Sequence, residues 1–253
     1  MIEHLSYSSI SQYLSCPAAW RYKYVLNLPM VVSPELAFGS AFHKTLQDYL
    51  TGKGTLIPLW MEAWNVQKES VTQWDMNTPE EFANTGVRIL SDEHVLRNIY
   101  NMKAGKDEQG YCIEKKVDLH VPGVPIPIIG FIDFIDEQGI PCDIKTSGKS
   151  WAQDKAQGET QTLFYLAALN QAGNRAHGWR FKHYIFVKTK QPQVQVFEHE
   201  HKPGELFWLF QQIQQVWKGI MAEVFPCNSD GWKCSPKYCD FWRECRGKYE
   251  ALP

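Results

Sequence analysis

Two acids interrupt a segment of mostly apolar residues in the middle of the chain. Asp133 lies within the run Phe131–Ile135, and Asp143 follows ten residues later, after turn-forming residues at 137–139. This pattern predicts two short strands joined by a tight turn. An ionised carboxylate among apolar side chains is costly unless it is paired or bound to a metal, and paired strands would bring the two acids together. We therefore expect them to hold a hard divalent cation.

Lys145 completes this group of charged residues. It follows Asp143 by two positions, so on a strand the two side chains point to the same face. An ammonium beside two carboxylates and a cation can orient an attacking water or stabilise a developing negative charge. Taken alone, the hairpin also fits a second interpretation, in which it lies at the surface with solvated charges.

The order Gly-x-x-Asp followed by Asp-x-Lys resembles the active-site hairpin of the PD-(D/E)XK nuclease superfamily, and Ile132 before the first acid is common in its RecB-like branch. The resemblance implies an α/β fold, in which a mixed central β-sheet is flanked by helices on a restriction-endonuclease-like αβββαβ core. It also implies that Asp133, Asp143 and the Ile144 carbonyl hold Mg²⁺ or Mn²⁺. Lys145 would then position the water that hydrolyses a phosphodiester.

His43 lies on a predicted helix over 36–50 whose apolar residues recur with helical spacing. A histidine in such a place can be a core residue that hydrogen-bonds a carbonyl. However, Gly39-x-x-x-His43 matches the first motif of the RecB-like family, which implies that His43 ligates or borders the metal. Imidazole suits manganese-like ions better than magnesium.

Gln161 and Tyr165 stand four residues apart on a helix predicted over 157–171, and so share one face. An ordinary exposed pair is one interpretation. Gln-x-x-x-Tyr after Asp-x-Lys is also the next motif of the RecB-like nucleases. By that resemblance, the pair is directed at the substrate backbone near the metal.

Three cysteines, Cys234, Cys239 and Cys245, lie within twelve residues with the spacing Cys-x4-Cys-x5-Cys. Together with Cys16 they supply four thiolates, enough for a 4Fe-4S cluster or a tetrahedral zinc site. One N-terminal cysteine with three near the C-terminus resembles the AddB and CRISPR-associated RecB-like nucleases and implies an iron–sulfur cluster. The wider first gap departs from their usual Cys-x2-Cys-x5-Cys. Structural Zn²⁺ is the alternative cofactor, and Cys227 is an alternative ligand.

Composition places the remaining limits. At 253 residues and 44% hydrophobic, the chain predicts one nuclease domain over 1–253, with a helical insert at 51–105 and a Cys-rich segment at 227–253 that joins Cys16. The first residues lack a basic and an apolar region, and no run is long enough to span a membrane, so a cytoplasmic setting is expected. The odd number of cysteines argues against a secreted disulfide scaffold.

Charge is uneven along a chain whose net charge is −2. From Lys145 to Lys202 there are nine Lys and Arg against four Asp and Glu, a difference of +5. The polar loop 146–150 could touch phosphates, and the Lys188–Lys190 segment either faces phosphate or forms a solvated turn. Glu114, on a predicted strand, either supports the metal site or is a solvated charge.

These observations predict a metal-dependent DNA nuclease. The resemblance implies an exonuclease that acts on single-stranded or frayed DNA ends in recombination, repair or DNA processing. Any unwinding would come from a helicase or recombination partner. The alternative is a DNA-end-binding accessory subunit of a recombination or CRISPR-adaptation complex, with secondary nuclease activity. A zinc-stapled scaffold without a nucleic-acid role is a third hypothesis.

Overall fold

The computed structural model describes residues 2–74 and 77–250, which divide into two compact units. Unit 1 contains residues 2–31, 118–130 and 204–250. Unit 2 contains residues 32–74, 77–117 and 131–203. Each unit is described by itself below. Within the described ranges, no helix is long and apolar enough to cross a membrane.

The strands, in chain order, are β1 (Leu5–Ser6), β2 (Lys106–Asp107), β3 (Gly110–Tyr111), β4 (Ile113–Leu119), β5 (Ile128–Ile135), β6 (Pro141–Ser147), β7 (Arg180–Val187) and β8 (Gln193–Glu200). A six-stranded sheet has the order β1-β5-β6-β7-β8, with β4 also paired to β5. The β5–β6 and β7–β8 pairs are antiparallel, whereas the β6–β7 pair is parallel. The predicted mixed sheet is therefore confirmed.

The helices are α1 (Tyr7–Ser15), α2 (Pro17–Tyr24), α3 (Pro34–Leu50), α4 (Leu56–Gln67), α5 (Pro79–Leu90), α6 (Glu93–Asn101), α7 (Gln153–Gln157), α8 (Thr160–Gln171), α9 (Glu205–Met221) and α10 (Gly247–Glu250), with a 3-10 turn at Lys68–Ser70. Local sequence signals explain several of their first residues. Ser6 caps α1, and Thr78 caps α5 in a reciprocal capping box with Glu81, directly before Pro79.

The core of unit 2 lies where α3 to α6 pack against the sheet. The rings of Phe42 on α3 and Phe186 on β7 lie 4.9 Å apart, and Phe38 lies 5.0 Å from Trp60 on α4. Gly86 on α5 is required by this packing, because a Cβ there would lie 2.0 Å from the Trp60 ring. The aromatic core fixes α3 against β6 and β7, and α3 carries His43.

Unit 1 joins the two ends of the described chain. The Tyr13 hydroxyl on α1 donates to the Val224 carbonyl at 2.6 Å, and the ring of Trp20 on α2 stacks on Phe225 at 5.7 Å. The Tyr22 hydroxyl donates to the Glu244 carbonyl at 3.1 Å. These contacts hold the Cys-rich segment beside α1 and α2. The proposed domain and insert boundaries stay predictions.

Candidate active site and thiol pocket

The candidate active site lies in unit 2, at a fork where β5 and β6 separate. The two strands pair at Ile135 with Pro141 and at Phe134 with Cys142. At the next position, the Asp133 carboxylate accepts a hydrogen bond from the Ile144 N–H at 2.6 Å. The side chain thus occupies a backbone donor that a continued ladder would use. The fork satisfies its own backbone while it presents two acids on neighbouring strands.

Tyr165 satisfies a second backbone group of the fork. Its hydroxyl, on α8, donates to the Phe131 carbonyl at 2.7 Å and accepts from the Gln161 amide at 2.8 Å. The Gln161 carbonyl oxygen in turn accepts from the Lys145 ammonium at 3.5 Å. The structure therefore links both members of the predicted Gln-x-x-x-Tyr pair to the fork. Burial and the charges of the nearby acids raise the pKa of Tyr165, which keeps its hydroxyl protonated.

The buried Asp143 forms an ion pair with the partly buried Lys145, with 2.8 Å between the Asp143 Oδ1 and the Lys145 Nζ. Burial raises the pKa of Asp143 to about 6, with a further contribution from Asp133 that Lys145 opposes. Burial also disfavours the charged form of Lys145, but the two carboxylates outweigh it and raise the pKa of the lysine. Lys145 therefore stays an ammonium at neutral pH.

His43 contacts Asp133 from α3, with 3.4 Å between its Nδ1 and the Asp133 Oδ1. Burial opposes the charge on both partners. The attraction between them nevertheless raises the pKa of His43 and lowers the pKa of Asp133, helped for the acid by the Ile144 N–H. Asp133 is thus held in its ionised form before any cation binds.

Glu114 on β4 is a third acid near the fork, and its role was undecided from the sequence. Its backbone φ is +49°, which is rare for a residue with a side chain, and its carboxylate accepts a hydrogen bond from Gln47 on α3. Burial and the charge of Asp133 raise its pKa. The alternating pattern of β4 gave no signal that this particular residue would leave the regular strand conformation.

One carboxylate oxygen at the fork is placed as a cation ligand would be, buried and without a hydrogen bond from the described residues. The Asp143 Oδ2 is buried and has no hydrogen-bond partner in the described part of the chain, so a full carboxylate lone pair is uncompensated. Over the same ranges, no three or more His, Cys, Asp or Glu side chains are arranged to hold a metal ion. The predicted ligand set of His43, Asp133, Asp143 and the Ile144 carbonyl therefore stays a prediction.

A cavity of about 250 Å³ in unit 1 gathers the thiols that the sequence singled out. The cysteines that line it are Cys16, Cys227, Cys234, Cys239 and Cys245. The Asn228 N–H donates to the Cys16 Sγ at 3.5 Å, and the Arg246 guanidinium donates to the Cys234 Sγ at 3.7 Å. The distant N-terminal cysteine therefore lies beside the C-terminal ones, as the predicted cluster requires.

Burial and nearby negative charge both disfavour the thiolate forms of Cys239 and Cys245, because they raise the pKa of each thiol. Burial raises the pKa of Cys239, and negative charge on Cys16, Cys234 or Cys245 raises it further. Burial likewise raises the pKa of Cys245, with Cys227 as the next contributor. A positively charged iron or zinc centre would remove this repulsion, because metals bind cysteine as the thiolate. Thiolates are ligands for either metal, but within the described residues no three of these side chains are arranged to hold a metal ion, so the cluster stays a prediction.

The mixed central sheet flanked by helices is consistent with a restriction-endonuclease-like fold. Residues 4–246 match the PD-(D/E)XK nuclease superfamily, and the chain belongs to that superfamily.

The fold resembles that of a protein from Eubacterium rectale described as a "putative exonuclease". The two are 13% identical and superimpose with a TM-score of 0.58, over 96% of this chain and 88% of that one. At this identity the likeness concerns the fold alone. A second structure, that of SSO0001, is 14% identical over 95% of this chain and 93% of that chain, with a TM-score of 0.39. No curated protein matches the chain.

Proposed function

We propose that this protein is a Mg²⁺- or Mn²⁺-dependent deoxyribonuclease, an exonuclease that acts on single-stranded or frayed DNA ends. The observation that carries the proposal is the buried Asp143, whose Oδ2 has no protein partner among the described residues and which lies beside Lys145 at the fork. A purely structural ion pair would satisfy both carboxylate oxygens. In a chain of this superfamily, an unsatisfied oxygen here is explained by a cation site.

The fork residues have separate roles in this proposal. Asp133, Asp143 and the Ile144 carbonyl hold the cation, with His43 at its border. When bound, the cation polarises the scissile phosphate and lowers the pKa of a bound water. The attacking water gives up a proton to solvent as its oxygen forms a bond to phosphorus, the bond to the leaving oxygen breaks, and that oxygen takes up a proton from solvent.

Lys145 directs the attacking water and offsets the charge that develops on the phosphate. Its ammonium can donate three hydrogen bonds, and it donates to Asp143 and to Gln161. Gln161 and Tyr165 hold the lysine in place, because their hydrogen bonds continue to the Phe131 carbonyl. This series of hydrogen bonds supports a positioning role for Gln161 and Tyr165. The Gln-x-x-x-Tyr motif implies that both residues lie near the substrate backbone.

In unit 1, Cys16, Cys234, Cys239 and Cys245 bind a 4Fe-4S cluster in this proposal, with structural Zn²⁺ as the alternative. Their gathering around one cavity supports it. The metal would hold the first helices and the Cys-rich segment together through coupled binding and folding. It would not take part in cleavage. A helicase or recombination partner would supply the DNA ends.

The test is cleavage of end-labelled DNA by the purified chain, with Mg²⁺, Mn²⁺ or EDTA. Single-stranded linear, duplex linear and circular single-stranded substrates separate exonuclease from endonuclease action. The matched variants are Asp143→Asn and Asp154→Asn, since Asp154 is an exposed acid in the same unit. We expect metal-dependent degradation from ends by the wild type and Asp154→Asn, and loss of cleavage in Asp143→Asn.

Two outcomes would overturn the proposal. Cleavage that persists in Asp143→Asn would exclude the fork as the catalytic centre. DNA-end binding by the wild type without cleavage in either metal would favour the accessory-subunit hypothesis instead.

A further inference from the structure

Lys145, Lys182 and Lys188 are partly buried lysines of unit 2 that differ in their partners. Lys145 lies 2.8 Å from the Asp143 carboxylate, and Lys182 lies 2.7 Å from Asp136. The Lys188 ammonium instead lies over the ring of Phe38, 4.7 Å from its centroid, with no carboxylate within ion-pair distance in the described part of the chain. Among the described residues, Lys188 is therefore a partly desolvated cation that lies over an aromatic face and has no ion-pair partner.

The electrostatic surroundings of the three lysines differ accordingly. Carboxylates outweigh burial and raise the pKa of Lys145 and of Lys182. Burial lowers the pKa of Lys188, and the more distant charge of Glu35 opposes it only in part. Removing a cation from water without a counter-charge costs free energy. An anion that came to Lys188 would recover part of that cost.

Lys188 lies close to the fork along both the sheet and α3. It follows directly after β7, and its N–H donates to the carbonyl of Ser147, the last residue of β6 and two positions beyond Lys145. Phe38 precedes His43 by five residues, about 7.5 Å along a helix axis. An anion bound at Lys188 would therefore lie close to an anion bound at the fork.

The loop after β6 adds a second cation and open space at the same edge. The Ser147 hydroxyl accepts from the Lys149 N–H at 3.2 Å and fixes the turn, and the Lys149 side chain is exposed. A Cβ built on Gly148 would meet nothing within 4 Å, so the backbone there is open to a ligand. This edge offers two ammonium groups and unobstructed backbone to an extended polyanion.

We propose that Lys188, with Lys149, binds a backbone phosphate of the nucleic-acid strand next to the phosphate that is cleaved. The inference rests on the proposed nuclease function and names how that site fixes its substrate. Lysine binds phosphate as a point charge, without base selectivity, so this contact would position the strand whatever its sequence. The stem of Lys188 is already ordered on Phe38, which reduces the entropy lost on binding.

The experiment measures DNA affinity separately from cleavage. A fluorescent single-stranded oligonucleotide is titrated with Asp143→Asn protein at several NaCl concentrations between about 50 and 200 mM. Lys188→Met and Lys188→Arg are introduced into this background. Methionine keeps an unbranched stem on Phe38 and removes the charge. The matched control is Lys53→Met, which removes an exposed lysine paired with Asp48 in the same unit.

We expect Lys188→Met to weaken binding about tenfold at the lowest salt and to reduce the slope of log K against log salt by roughly 0.7, the value for one phosphate contact on a single strand. Lys188→Arg should restore most of the affinity, and Lys53→Met should change neither quantity. Equal affinity and slope in Lys188→Met and Lys53→Met would overturn the inference. Weakened binding in Lys188→Met would support it even if the wild type proved unable to cleave DNA.

Discussion

The fork of unit 2 and the thiol pocket of unit 1 differ in how far the protein itself fixes its polar groups. At the fork, Asp133 is held by His43 and the Ile144 N–H, and Lys145 is held by Asp143 and Gln161. In the thiol pocket, the hydrogen bonds to the sulfurs of Cys16 and Cys234 are 3.5 Å or longer, and burial, helped by the charges of neighbouring thiolates, raises the pKa of Cys239 and Cys245.

This difference separates a preorganised site from one that its ligand would organise. A change at the fork should remove chemistry and leave the fold, because neighbouring protein groups still define the geometry. A change in the thiol pocket should remove stability, because there the metal supplies the missing attraction. Variants at each site therefore test whether activity and stability respond differently.

The largest effect is expected for Lys145→Met. Cleavage should fall about 10³-fold, because the ammonium that directs the water and offsets charge on the phosphate is lost. The melting temperature should change little, since Asp143, whose pKa is already about 6, can take up a proton when its partner is removed. Single-turnover cleavage and thermal unfolding measure the two effects, with Lys53→Met as control. Unfolding of the variant would show that the ion pair is structural.

The next largest effect is expected for Cys239→Ser in the thiol pocket. The variant should lose its iron and about 3 kcal/mol of unfolding free energy, because bound metal stabilises only the folded chain. Metal analysis, the visible absorption spectrum and denaturant unfolding of anaerobically purified protein provide the measurements. Cys112→Ser, a thiol of unit 2, is the control. One zinc and no colour in the wild type would replace the iron–sulfur assignment, and neither metal would exclude both.

Tyr165→Phe should have an intermediate effect of about 1–3 kcal/mol on stability, because the Phe131 carbonyl would lose its partner. Cleavage should fall about tenfold, since Gln161 would also lose the hydroxyl that orients it toward Lys145. Tyr49→Phe on α3 is the matched control. If the two variants had the same stability and activity, the Tyr165 hydroxyl would have no part in holding the fork open.

The smallest effect concerns pH and His177, which lies outside both sites. Its Nδ1 accepts the Trp179 N–H at 2.9 Å, and burial lowers its pKa more than the nearby Asn174 carbonyl raises it. Below pH of about 6.5, the unfolded chain therefore binds a proton that the folded chain does not, and stability falls as pH falls. Urea unfolding between pH 7.5 and 5 should show a shallower loss in His177→Asn than in the wild type. Equal losses of stability in His177→Asn and the wild type would show that His177 does not contribute to this pH dependence.

The sequence predicted the fork well because its chemistry depends on residue type and short spacing. The two acids and Lys145 fall on adjacent strands whose connection is a tight turn, and Tyr165 follows Gln161 by one helical turn. Alternation and helical periodicity carry that information directly. The mixed sheet was implied by the resemblance to the PD-(D/E)XK superfamily, and local capping residues mark the starts of α1 and α5.

Features that depend on tertiary contacts could not be predicted in this way. Nothing in the sequence indicates that Asp133 replaces a ladder partner of Ile144, that Glu114 adopts a positive φ, or that Lys188 lies on Phe38. Leu36, the first residue of the helix predicted over 36–50, is 55% exposed because it falls in the first turn of α3. These outcomes are set by which elements pack together.

The central claim is that the acids of the fork hold a divalent cation. Calorimetric titration of Mn²⁺ into the wild type, Asp143→Asn and Asp154→Asn tests it most directly, with thermal unfolding to show that each protein is folded. We expect binding to the wild type and to Asp154→Asn, and binding at least about tenfold weaker in Asp143→Asn. Wild-type affinity in a folded Asp143→Asn variant would contradict the account.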